Sequence, residues 1–198
     1  MKGTIRTSLT LAILGGAVAS QAFTVATFSD PAPTGSTPMF TLDIANNKLS
    51  GSWLNPGLKL LTPGLSAADV DNAKFKMNPI SLNPIGIGLY TAGPGQLDFT
   101  DAADNLVFRI NFTTGLVAPT SFGSSEFFGQ NVQFSDANGP LTGLSQETFS
   151  FAFANPQFAG NSLTYTAAFT SSAVPEPGTM LALAAGAAGM IARRRRSK

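Results

Sequence analysis

The chain has 198 residues, with 12 Lys plus Arg, 11 Asp plus Glu, no His and no Cys. Lacking Cys, it has no disulfides, thiol nucleophiles, Cys-ligated zinc or thioether-linked haem; lacking His, it has no Ser-His-Asp or Cys-His machinery and loses the commonest transition-metal ligand. The formal charge of +1 conceals a segregation: residues 23–174 hold five bases (Lys48, Lys59, Lys74, Lys76, Arg109) against ten acids, a net −5 that repels phosphate backbones and argues against a nucleic-acid partner.

Residues 1–22 read as a secretory signal peptide. Lys2 and Arg6 form the positive region, Leu9 to Val18 the apolar one, and Ser20 and Ala22 put small residues at −3 and −1 of a cut between Ala22 and Phe23. The apolar run is too short to cross a hydrocarbon core of about 30 Å. No twin-Arg pair is present, so general secretion is the expected route.

Residues 23–173 have the length of one domain, enough to bury about two-thirds of the unfolded surface. Alternation of period two recurs along them. Phe40, Leu42 and Ile44 alternate with polar or small residues, as do Phe75 and Met77, then Ile85, Ile87 and Leu89. The cleanest run is Leu106, Phe108, Ile110 and Phe112; Phe149, Phe151 and Phe153 follow, then Leu163, Tyr165, Ala167 and Phe169. Asn46-Asn47, Gly93-Pro94-Gly95, Asp104-Asn105 and Asn138-Gly139-Pro140 supply turns between these runs, and from Phe75 to Leu106 a new run starts roughly every ten residues. This spacing predicts an all-β, jelly-roll-like antiparallel β-sandwich with a Phe-dominated core. Its strand edges would be open to pairing with other chains. Helix is expected only at Ser66–Asn72, in the signal segment, and in a short hydrophobic stretch after residue 178.

Few residues invite chemistry. Asp98, Asp101 and Asp104, with Asn105, could offer oxygen ligands to Ca²⁺, but no EF-hand or repeat spacing is present, and a solvated turn with Asp–amide bonds explains them as well. Asp69 and Asp71 fit the short helical turn. Glu126 and Glu147 would have to lie about 5 to 9.5 Å apart to act as a glycosidase pair, and neither sits in a motif. Trp53 could stack on a sugar ring or fill a core. Asn111-Phe112-Thr113 is a sequon inside the best strand, and Gly86, Gly88, Gly93 and Gly95 lack the Lys-Ser/Thr of a phosphate loop. No catalytic set, cofactor site or metal site is expected.

Residues 174–198 are the most specific segment. Val174-Pro175-Glu176-Pro177 brackets one Glu with two Pro, which keeps it extended. Thr179 to Ala192 follow, apolar or small after the Thr, and then Arg193, Arg194, Arg195 and Arg196. As a helix the apolar stretch would cover about 21 Å at 1.5 Å per residue, short of a full bilayer core. The Arg cluster is held on the cytoplasmic side by the positive-inside rule. Motif, apolar stretch and Arg cluster together resemble the PEP-CTERM sorting domain of bacterial exported proteins. The resemblance implies recognition by an exosortase, a membrane-embedded transpeptidase-like protease, with processing near Pro175-Glu176-Pro177. It also implies a Gram-negative host that makes exopolysaccharide. The expected protein is exported, transiently anchored in the inner membrane, and then placed at the cell surface or in the biofilm matrix without a catalytic role. The alternative is a carbohydrate-binding module for matrix polysaccharide.

Overall fold

The computed structural model describes residues 21–28, 38–119 and 126–175. Eleven strands form in chain order: β1 Phe23–Phe28, β2 Phe40–Asp43, β3 Lys48–Leu60, β4 Val70–Gly86, β5 Leu89–Ala92, β6 Gly95–Thr100, β7 Leu106–Ala118, β8 Glu126–Asp136, β9 Gly139–Pro140, β10 Leu144–Ala159 and β11 Ser162–Pro175. All pairings are antiparallel, and β11 pairs back onto both β1 and β2. The sheet therefore closes on itself as an eight-stranded barrel.

Chain-order neighbours are also spatial neighbours. β5 and β6 both lie between β4 and β7 and keep one register with each, as in Leu82↔Ala92 and Lys74↔Thr100 on β4. They are one strand of the barrel, interrupted at Gly93-Pro94. β1 and β2 likewise share the place between β11 and β3; β1 bridges through Thr27 to Leu61, the residue that follows β3.

The expected sandwich is thus replaced by a barrel. Both architectures bury alternate residues, so period two cannot separate them; hydrogen bonding of the first strands to the last one does. Closure also removes the free edges expected of a sandwich. Ser66–Asn72 is not a helix. The Thr62 N–H donates to Asp69 Oδ1 (2.8 Å) and its hydroxyl to the Ala67 carbonyl (3.0 Å), which folds 62–69 into a loop before β4 begins at Val70. The two terminal helices expected from the sequence lie outside the described residues. Among the described residues no helix is long and apolar enough to cross a membrane.

The interior is built from Phe. Phe40, Phe75, Phe99, Phe108, Phe127, Phe134, Phe151 and Phe169 are all fully buried. Most of their rings meet tilted or edge-on, for example Phe40–Phe151 at 4.8 Å and Phe151–Phe169 at 4.9 Å, arrangements favoured by the ring quadrupole. Room for these rings comes from glycine on the neighbouring strand. Gly51 stands opposite Phe40, Gly95 opposite Phe112 and Gly129 opposite Phe149. A Cβ on Gly51 would come within 2.6 Å of the Phe40 ring, and one on Gly95 within 2.5 Å of Phe112. Each ring lies over a bare stretch of backbone that a side chain would occupy.

The barrel has two distinct ends. One carries the β2–β3 turn at 44–47, the β4–β5 hairpin and the β10–β11 hairpin, with Ile85, Ile87 and Phe158 exposed. At the other end β1 begins, β11 finishes and the 101–105 turn sits.

Candidate processing site where β1 and β11 meet

β1 begins at Phe23 and β11 ends at Pro175, and the two strands are neighbours with Phe23 opposite Ala173. The chain thus enters and leaves the barrel at one end, on strands about 4.8 Å apart. A bulge between Thr24 and Ala26 shifts the register there. Ser171 repairs it: the Ala26 N–H donates to Ser171 Oγ, and the Ser171 hydroxyl donates to the Ala26 carbonyl, both at 2.9 Å. Ser171, Ala26 and Ala173 are buried, so this seam has no water to fall back on.

Val174 and Pro175 lie one step further, and they belong to the barrel. β10 pairs with them through Ser145↔Val174 and Leu144↔Pro175. The Ser145 hydroxyl also donates to the Val174 carbonyl at 3.2 Å. Pro tolerates this position because a strand end needs no N–H from it. Ala173 is held by β1 opposite Phe23, at a register shift where β10 pairs with Ser172 before it and Val174 after it, whereas the pairings to Val174 and Pro175 come from β10. Both are half-buried. Glu176, Pro177 and Arg193 to Arg196 lie outside the described residues.

Residues 173–196 match the family model described as the PEP-CTERM protein-sorting motif. The chain carries a PEP-CTERM sorting motif. It is a PEP-CTERM exosortase substrate, exported and sorted toward the cell surface through a transient membrane stage. The PEP-CTERM match overlaps β11 by three residues, Ala173 to Pro175, so motif and barrel share backbone. No curated protein and no solved structure matches the chain.

The other residues singled out from the sequence are dispersed. Asp98, on β6, pairs with Arg109 of β7 at 2.6 and 3.0 Å and accepts from Gln96. The Asp98 hydrogen bond raises the Arg109 pKa. Asp101 accepts from the N–H groups of Ala103 and Asn105 and from the Asn105 amide, and the Asn105 bond lowers its pKa. Asp104 takes Lys74 at 2.9 Å. Each carboxylate has its own protein partner, and among the described residues no three acidic groups gather in the way a metal ion needs.

Trp53 faces inward and is 6% exposed, so it presents no stacking surface to a sugar. Glu126 and Glu147 line one open depression of about 590 Å³ on the outer wall, beside Gln130, Asn131, Thr148 and Ser150. Glu126 stands opposite Ala152 of β10, five residues from Glu147, or about 16 Å along the strand. Glu147 has a structural task. β8 and β10 pair only around residues 126–129 and then diverge, and Glu147 Oε1 accepts the Phe134 N–H at 3.2 Å across the gap. Burial raises its pKa against that hydrogen bond.

Ser145 and Ser171 were not singled out from the sequence. Their partners are 29 and 145 residues away, and a lone Ser in a strand gives no local sign of such a bond.

Proposed function

We propose that the barrel is a non-catalytic body displayed at the cell surface or in the exopolysaccharide matrix, delivered and released through its PEP-CTERM segment. The observation that carries this reading is the continuity of β11 with the sorting motif: the cargo is folded up to the motif itself. The interior also supports it, because Phe rings occupy the space in which ligand-carrying barrels of this strand number hold their ligand. A cut between Ala22 and Phe23 would leave β1 whole. Fractionation of cells with and without the exosortase tests the proposal. The expected outcome is a shortened extracellular form in the first strain and a membrane-held, full-tail form in the second. Identical distribution in both strains overturns it.

A second reading, glycan binding, draws on the outer-wall depression of about 590 Å³ lined by Gln130, Asn131, Thr148 and Ser150, whose amides and hydroxyls match a polyhydroxylated chain. Retention on host exopolysaccharide that falls at least tenfold in Gln130→Ala/Asn131→Ala supports it. Equal retention removes it.

A further inference from the structure

The match to the sorting motif spans 24 residues and leaves open which bond in it is broken. We infer that the barrel itself sets the upstream limit: the scissile bond lies C-terminal to Pro175, and the mature protein keeps Val174 and Pro175 as the last residues of β11. This rests on the processing proposed above. Cutting breaks one peptide bond. The new amine leaves with the tail fragment and a proton, and the acyl carbon passes to the enzyme's nucleophile and then to water or an acceptor amine.

A protease takes its substrate as an extended, single chain whose backbone groups are free to pair with the enzyme. Up to Ala173 those groups are already engaged. β1 holds Ala173 through Phe23, and Ser171 is tied into the β1 bulge by two buried hydrogen bonds. Freeing this segment means opening the seam that closes the barrel, which carries the cost of global unfolding rather than of end fraying. Val174 and Pro175 are protected less, through β10 and the Ser145 hydroxyl. Protection therefore falls off from Ala173 to Pro175, the last of the described residues.

A second consequence concerns where the enzyme works. No spacer separates the paired strand from the rest of the motif, since Pro175 is both the end of β11 and the first Pro of Pro-Glu-Pro. For a cut within Pro175-Glu176-Pro177, the barrel end that carries Phe23 and Ala173 stands against the enzyme while the bond is broken. The opposite end, with exposed Ile85, Ile87 and Phe158, then faces away.

Intact-mass and C-terminal peptide mass spectrometry of the extracellular protein from its producing cells tests this. The expected mature C-terminus is Pro175 or a later residue. Two variants weaken the protection without touching the motif. Ser145→Pro breaks the β10 pairing to Val174, and the milder Ser145→Ala removes the hydroxyl bond alone. Either should yield new termini upstream of Pro175, in a larger share for Ser145→Pro if that variant is secreted. A wild-type terminus at or before Val174 overturns the inference while leaving exosortase processing standing. So does a Ser145→Ala terminus distribution identical to wild type. An extracellular form that retains Arg193 to Arg196 overturns both this inference and the processing on which it rests.

Discussion

Tyr165 is fully buried, and its hydroxyl has no hydrogen-bond partner among the described residues. Burial pushes its pKa upward, so the phenol stays neutral and keeps an unanswered donor in an aromatic interior. The ring earns its place by stacking on Phe153 at 4.8 Å. Tyr165→Phe keeps the ring and removes the stranded hydroxyl, so it should raise stability by about 1 kcal/mol. Denaturant unfolding at unchanged slope would report this as a higher midpoint. A lower midpoint would mean that the hydroxyl is satisfied by water. Gly129 is the opposite case. A Cβ there would overlap the Phe149 ring, whose own position is fixed by Phe112 and Phe127 at 5.3 and 5.2 Å. Gly129→Ala should cost about 1–3 kcal/mol through overpacking, despite the entropy that Ala saves in the unfolded chain. A neutral result in the same unfolding assay would show that the ring can move aside.

At the scale of elements, the place where β8 and β10 part makes stability depend on pH. Burial raises the Glu147 pKa from its ordinary value of 4.5 while the carboxylate accepts the Phe134 N–H. Folding thus favours the protonated form: the contribution is full below 4.5 and is lost as pH rises through the higher folded value. Asp43 and Asp101 act in the other sense. Bonds from Asn46 and Asn105 hold them below their ordinary 3.8, so their contribution is present above 3.8 and lost as pH falls through the lower folded values. Thermal unfolding across pH 3–8 should therefore peak at about pH 4–5. In Glu147→Gln the decline on the neutral side should flatten, and an unchanged decline would assign it to other groups. This gap also shows what could be read from the sequence. Strand identity could: Phe108–Phe112, Phe149–Phe153 and Leu163–Phe169 each alternate as a half-buried strand must. Closure could not, because β7 and β8 switch their inward parity together near Thr113-Thr114 and Gln130-Asn131, where Asn131 has φ 50. Alternation alone reads such a switch as a strand end. The sorting motif was fully legible because its recognition lies in residue types and order. Its fusion to β11 was not, since the pairing partners of Val174 and Pro175 sit some thirty residues upstream.

For the whole molecule, closure is the organising event, and it joins the two most distant parts of the described chain. The Ala26–Ser171 bonds span 145 residues, and β2 pairs with β11 across roughly 120. Contacts of this kind form late, because the loop entropy of bringing the strands together must be met before the pairing returns anything. An intermediate lacking β11 would hold β1, β2 and β10 with unpaired backbone and a Phe-lined interior open to water, a state prone to edge pairing. Export makes the order of events matter: the barrel can close only when residues through 175 have reached the compartment that holds β1. Sorting and folding are then linked by sequence position, since the next residue after closure, Glu176, is already inside the PEP-CTERM motif. The linkage yields a direct comparison. A protein comprising residues 23–175 should unfold cooperatively and refold in milliseconds to seconds, the range of sheets dominated by non-local pairing. One comprising residues 23–161, which lacks only β11, should show no cooperative transition and should aggregate at micromolar concentration. If the shorter protein unfolds with the same midpoint and sharpness, closure through β11 is not what stabilises the fold, and the protection of the sorting motif by the barrel loses its physical basis.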